Sequence, residues 1–182
     1  MAKATEGTGY SDPTFATNYE GMLDAGMIRG AYHFAQPESD AATQAQFFVS
    51  TVRSAGGFNG TNTMQLVLDL EDSNGLGTSA VWSWVQEFVS SIKSLTGRPP
   101  IIYTGYYFWR DNVGNPTDNL DCPLWIAAYS SSPSIPDAWS SIGWAFWQYN
   151  DNGAIPGISG DVDVDYFANS ATYPSIEALC YP

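Results

Sequence analysis

An α/β fold with a mainly parallel sheet, open or closed into a barrel, is predicted by three observations. Short aliphatic runs alternate with amphipathic stretches of helical period through most of the chain. The last strand-like segments are separated by loops instead of long helices. Polar or aromatic side chains stand at the ends of the strands, where active residues gather on the C-terminal rim of a barrel. The 182 residues read as one domain spanning 1–182, with no internal repeat and no linker.

The elements follow in order. Met1–Ala4 reads as a strand. Ser11-Asp12-Pro13 opens a helix with Pro in its first turn, and this helix passes through Phe15, Tyr19, Met22 and Leu23 to end near Gly26. Met27 to Ala35 is strand-like, and Ser39 is the candidate N-cap of a helix reaching about Ala55. Ala41, Ala45, Phe48 and Val52 recur there at helical spacing, and Gly56-Gly57 ends the run. After the Leu66–Glu71 strand, Thr78 opens a helix whose stripe is Val81, Val85, Phe88, Ile92 and Leu95, closed by Gly97. Ile101–Tyr103, Leu124–Ala127, Gly143–Gln148 and Val162–Asp165 are the later strands. The count is seven, whereas a closed barrel of this type takes eight.

Two acids interrupt the most aliphatic strand, Leu66-Val67-Leu68-Asp69-Leu70-Glu71. Alternate strand residues share a face at a rise of roughly 3.3 Å per residue, so Asp69 and Glu71 point the same way, about 6 to 7 Å apart along the backbone. A core gains nothing from two neighbouring acids. In a partly desolvated site, however, one carboxylate beside another holds a proton near neutral pH and can give it to a leaving group. The plainer alternative is a strand end running into an acidic loop, since Asp72 follows.

Composition narrows the partners. There are 19 Asp and Glu against 6 Lys and Arg, a net charge of −13, which argues against nucleic acid and against an anionic membrane surface. Aromatics make up 15 % and charged residues only 14 %, a balance suited to a secreted protein acting on carbohydrate. The acid excess repels itself less at mildly acidic pH, which points to an acidic working environment. No apolar run reaches transmembrane length, and no signal peptide is visible. Cys122 and Cys180 form no metal motif; they are two buried thiols or one disulfide. A bridge, together with the Asn59-Gly60-Thr61 glycosylation sequon, would favour export.

The motifs resemble glycoside hydrolase family 25, the Chalaropsis-type lysozymes. They are Lys3-Ala4-Thr5-Glu6-Gly7, Asp12-Pro13-Thr14-Phe15, Arg29-Gly30-Ala31-Tyr32-His33-Phe34, Asp69-Leu70-Glu71 and Ile102-Tyr103-Thr104-Gly105-Tyr106. Leu124-Trp125-Ile126-Ala127, Phe146-Trp147-Gln148-Tyr149 and Val162-Asp163-Val164-Asp165-Tyr166-Phe167 complete the series in order. The resemblance implies a modified TIM-type β/α barrel with fewer helices in its C-terminal half. It also implies hydrolysis of the β-1,4 bond between N-acetylmuramic acid and N-acetylglucosamine in bacterial peptidoglycan, outside the cell and without a cofactor. Glu71 is implied as general acid, Asp69 as its assistant and Asp163 as a further rim carboxylate. Lys3, Tyr32, Tyr103, Trp125 and Gln148 match positions in the groove.

One departure accompanies the resemblance. Family members normally begin with a strand such as Gly-Ile-Asp-Val-Ser that supplies another active-site Asp, and here Met1 lies where the second strand is already under way. The expectation is a barrel with its first strand missing and two exposed sheet edges, open to a partner or to self-association. The alternatives to a muramidase are a glycan-binding relic without turnover, or a different acetamido-sugar hydrolase such as a chitinase.

Other residues carry plainer readings. His33, the single histidine, sits in a strand and reads as a hydrogen-bonded core residue. Trp84, Phe88 and Phe108 read as core. Asp161, Asp163 and Asp165 alternate in a way that offers oxygen ligands to Ca²⁺, but they lack an EF-hand loop. Gly75 and Gly77 make no phosphate loop.

Overall fold

The computed structural model describes residues 1–58, 60 and 62–182. The sequon's Asn59 and Thr61 lie outside the described residues. Strands β1 (Ala2–Glu6), β2 (Tyr10–Ser11), β3 (Ala31–Phe34), β4 (Val67–Asp69), β5 (Ile101–Gly105), β6 (Leu124–Ala127), β7 (Phe146–Gly153) and β8 (Val162–Phe167) form one sheet. Its order is β2-β1-β3-β4-β5-β6-β7-β8. The six strands from β1 to β7 other than β2 run parallel to their neighbours, while β2 and β8 are antiparallel at the two ends. Eight strands are therefore present, the eighth being the two-residue β2, which the sequence did not announce. Among the described residues no pairing joins β8 to β1 or β2, so the sheet stays open there.

Helices α1 (Phe15–Asp24), α2 (Ala41–Ser54) and α3 (Thr78–Thr96) follow β2, β3 and β4. A short α4 (Tyr106–Phe108) and a π-helical turn, Trp109–Val113, follow β5. No long helix follows β6 or β7, as the resemblance implies for the C-terminal half.

Period and capping explain the helices. The stripe Val81, Val85, Phe88 and Ile92 of α3 is buried against the sheet, and each such side chain contributes about 1.5–3 kcal/mol. Gly97 ends α3 in the left-handed region at φ 82°, where its N–H reaches the Lys93 carbonyl. Two predicted starts shift. The N-cap of α2 is Asp40, not Ser39, because the Asp40 carboxylate accepts from the Thr43 N–H at 2.8 Å. Pro13 precedes α1 instead of lying in its first turn, since Asp12 accepts from the Thr14 N–H at 2.8 Å and closes a turn there.

Strand alternation sorts the core into two layers. Leu66, Leu68, Leu70, Ile102, Leu124 and Ile126 face the helices. Val67, Ile101, Phe146 and Phe167 face the interior of the curved sheet, with Tyr173 and Leu179 closing its floor.

The disulfide expected between Cys122 and Cys180 is absent; both cysteines are buried and free. Cys180 pairs with Met64, which leads into β4, whereas Cys122 leads into β6. β5 lies between, and two strand spacings are about 10 Å, beyond the reach of a bridge. Each thiol instead points at a nearby carbonyl, Leu120 for Cys122 and Ile176 for Cys180, both at 3.6 Å. No described helix is long and apolar enough to cross a membrane.

Candidate active site

Following the inward face of each strand toward its C-terminal end leads to one cavity of about 970 Å³. On β4 the inward residues are Val67, Asp69 and then Glu71 beyond the strand end, while Leu68 and Leu70 are buried on the helix side. The strand is shorter than Leu66–Glu71, but the Leu70 N–H still bonds the Tyr103 carbonyl at 3.0 Å. That bond extends the register to the exit, so Glu71 keeps the face of Asp69. Lys3, Tyr32, Tyr103, Trp125, Gln148 and Asp163 line the same cavity. All eight sequence-predicted site residues thus converge.

The carboxyls are not equivalent. Asp69 is half-buried, its Oδ1 is enclosed without a hydrogen-bond partner, and Glu71 lies within hydrogen-bonding reach. Burial first, then the charge of Glu71, pushes the Asp69 proton affinity far up, with Lys3 pulling weakly the other way. Glu71 is also raised, chiefly by burial and with help from Asp163, while its bond to Asp69 opposes the shift. Glu71 is exposed along its length, but its carboxyl faces the cavity wall, and that local crowding sets its proton affinity. Two close carboxyls in one desolvated wall hold one proton between them near neutral pH.

The surroundings fix this pair. Asn74, three residues beyond Glu71, donates through Nδ2 to Gln36 Oε1 at 2.6 Å, and Gln36 Nε2 donates to Glu6 Oε1 at 3.1 Å. Glu6 in turn pairs with Lys3 at 2.6 Å. This chain ties the Glu71 loop to β1. It also means that Lys3 is ion-paired with Glu6, its ammonium 5.1 Å from the Phe34 ring centre.

Aromatic side chains form the floor. Trp125 packs edge-on to Tyr103, with ring centres 5.8 Å apart, and against Phe146 at 5.1 Å. Tyr32 stands beside Asp69 and Asp163, and burial and these charges push its phenol up to about 12. His33 faces the other way. It is fully buried between Phe48 and Phe88, bonded to Thr5 Oγ1 at 2.8 Å and Gln44 Oε1 at 2.9 Å. The core reading of His33 holds.

Two residues escaped sequence reasoning. Asp165 accepts from the Trp125 indole N–H at 2.6 Å, and Tyr129, just past β6, donates to Gln148 Oε1 at 2.8 Å. The two-residue alternation with Asp163 was the available signal for Asp165, and the signal for Tyr129 was its place as an aromatic at the end of the Leu124–Ala127 strand. Asp161, Asp163 and Asp165 do not assemble a cation site, since no group of three or more His, Cys, Asp and Glu is arranged for a metal among the described residues.

A curved, mainly parallel sheet with adjacent carboxyls over an aromatic floor at its C-terminal rim defines an architecture of the glycoside hydrolase class. The chain belongs to Glycosyl hydrolases family 25, whose profile matches residues 1–158. It is 38 % identical over 179 residues to Lysozyme M1 of Streptomyces globisporus, across 93 % of this chain and 59 % of that relative. It is 35 % identical over 181 residues to the N,O-diacetylmuramidase of Chalaropsis sp, across 90 % of this chain and 83 % of that protein. The muramidase from Trichobolus zukalii superposes with a TM-score of 0.84 at 41 % identity, over 98 % of this chain and 84 % of its own. The expected TIM-like fold is thereby established. The chain spans 59 % of the length of Lysozyme M1.

Proposed function

We propose that this chain is a muramidase that hydrolyses the β-1,4 bond between N-acetylmuramic acid and N-acetylglucosamine in bacterial peptidoglycan, outside the cell. The single observation carrying this reading is the Asp69–Glu71 pair, which shares one inward face at the strand exit with both proton affinities raised. The names of its relatives, a lysozyme and muramidases, support the substrate class.

Both carboxyls sit on one side of the cavity, so neither is placed to attack the sugar from the far side, as a two-sided retaining pair would. This favours substrate assistance. The 2-acetamido oxygen of the sugar attacks its own anomeric carbon while Glu71 gives its proton to the departing glycosidic oxygen. Asp69, accepting the acetamido N–H, must be ionised, so substrate binding moves the shared proton onto Glu71. The resulting oxazolinium ion faces the Asp69 charge. Water then attacks the anomeric carbon, Glu71 takes its proton, and the configuration is retained. Asp163 holds the shared proton in place by its charge, Tyr103 and Trp125 offer ring faces to the sugars, and Tyr32 adds its hydroxyl.

The test is release of new reducing ends from purified bacterial peptidoglycan at about pH 5. Release ending in muramic acid, with retained anomeric configuration by NMR, supports the reading. Folded protein that binds glycan without release favours the binding relic. Release from chitin but not peptidoglycan favours a chitinase.

A second proposal concerns assembly. Among the described residues β8 has a free edge and is not paired to β1 or β2, which favours self-association by strand pairing. A sedimentation profile that stays monomeric across a hundredfold concentration range would remove it.

A further inference from the structure

Gln148 lies deep in the cavity, 4 % exposed, at the end of β7. Its Oε1 accepts two phenol hydrogens at once, from Tyr103 and from Tyr129, each at 2.8 Å. Burial and the neighbouring carboxylates hold both phenols protonated, so they remain donors. Among the described residues no acceptor takes the amide Nε2, and the cavity it borders is walled by Asp69, Glu71 and Asp163. Their negative field favours the positive end of the amide dipole facing inward, with the oxygen turned to the phenols.

Building on the muramidase reading, we infer that Gln148 is a specificity-determining residue. Its amide N–H₂, held by the Tyr103 and Tyr129 hydroxyls, donates to the carbonyl oxygen of an acetamido group on the bound glycan. The complementary chemistry supports this assignment. Carboxylates only accept, so they serve the hydroxyl and N–H groups of a sugar. A carbonyl oxygen only accepts and needs a donor, which a carboxylate cannot be. Lys3 is committed to Glu6, the Trp125 indole to Asp165 and the Tyr103 and Tyr129 hydroxyls to Gln148 itself, so beside the Tyr32 hydroxyl the Gln148 amide is the donor at hand. A sugar with a plain 2-hydroxyl gains nothing there that the carboxylates do not already provide.

The experiment uses the full chain carrying Glu71→Gln, so that ligands are not consumed. Calorimetry gives its affinity for tri-N-acetylchitotriose and for cellotriose, a neutral β-1,4 trisaccharide without acetamido groups. Adding Gln148→Met or Gln148→Glu is expected to weaken the acetylated sugar roughly three- to tenfold, the loss of one neutral hydrogen bond, and to leave cellotriose unchanged. Gln148→Glu keeps an acceptor for both phenols, so it separates the lost donor from a disturbed clamp. If Gln148→Met unfolds, Tyr129→Phe at that 59 % exposed residue frees one side of the amide and lowers the same ratio by less. An unchanged ratio in these variants overturns the inference while leaving the muramidase reading intact. Failure of the Glu71→Gln chain to bind either sugar, with no reducing-end release by the unsubstituted chain, overturns both.

Discussion

Trp125 on β6 donates its indole N–H to Asp165 on β8 at 2.6 Å, reaching over the intervening β7 on the inner face of the sheet. The contact ties the end strand β8 to the parallel part of the sheet and sets the tilt of an aromatic ring that lines the cavity. A charge-assisted bond of this length is among the stronger ones a protein makes. Asp165→Leu leaves the indole N–H without a partner and is expected to cost about 1–3 kcal/mol. Thermal unfolding measures it, and a Tm unchanged within a degree would show that the bond contributes nothing.

Glu71→Gln removes the transferable proton while keeping size and polarity. Turnover on peptidoglycan is expected to fall at least about a hundredfold, the usual lower contribution of a general acid. The fold, read by circular dichroism, stays as it is. Undiminished release of reducing ends removes Glu71 from the acid role.

Asp69→Asn is expected to abolish most activity yet stabilise the protein. Burial raises the Asp69 proton affinity, so between the ordinary carboxylate range near 4 and neutral pH the folded chain holds a proton that the unfolded chain has lost. Stability from this site therefore falls as pH rises through that window. Asn carries no such penalty, and the gain in Tm over the unsubstituted chain should be larger at pH 7.5 than at pH 4.5. A gain of the opposite pH dependence contradicts the desolvated pair.

His33 acts in the other direction. Burial depresses its affinity to about 4, against about 6.5 in an unfolded chain. Below pH 6.5 the unfolded chain binds a proton that the folded one refuses, so this contribution to stability is complete above 6.5. It is lost as pH falls toward 4, by up to about 3 kcal/mol. The network fixes the neutral tautomer. Gln44 Nε2 donates to the Gln36 and Ser39 carbonyls, so its oxygen accepts from His33 Nε2–H, and Thr5 donates to Nδ1. His33→Gln should flatten the slope of unfolding free energy against pH between 6.5 and 4, even if it lowers stability throughout. An unchanged slope assigns the acid lability elsewhere.

Cys122 and Cys180 are separate thiols, and burial holds both in the neutral, unreactive form. Thiol reagent should count two reactive groups per chain only after denaturation, and reductant should leave Tm unchanged. A drop in Tm with reductant would restore the bridge.

Much of the fold and most of the site were legible in the residues themselves. The apolar stripe of α3 and the alternation in β4 are periodic, and a period is a local property that any reader of the sequence can count. Asp69 and Glu71 stood out because an aliphatic strand gains nothing from acids. By contrast, β2 is two residues long and carries no period, and Asp40 outcompeted Ser39 as a cap because the two neighbours are chemically interchangeable there.

The sequence alone therefore determined the order of the longer strands and helices, the inward face of β4 and the identity of the two carboxyls. Only the tertiary structure decided what those groups meet. It placed β5 between Cys122 and Cys180, turned Lys3 onto Glu6, set Asp165 under Trp125 and aimed two tyrosines at one oxygen of Gln148. Those partners lie 19 to 45 residues apart along the chain wherever they join different strands of the site. Local periodicity assigns a side chain to a face, but the sheet's curvature and register choose which faces meet, and that choice sets both hydrogen bonding and desolvation.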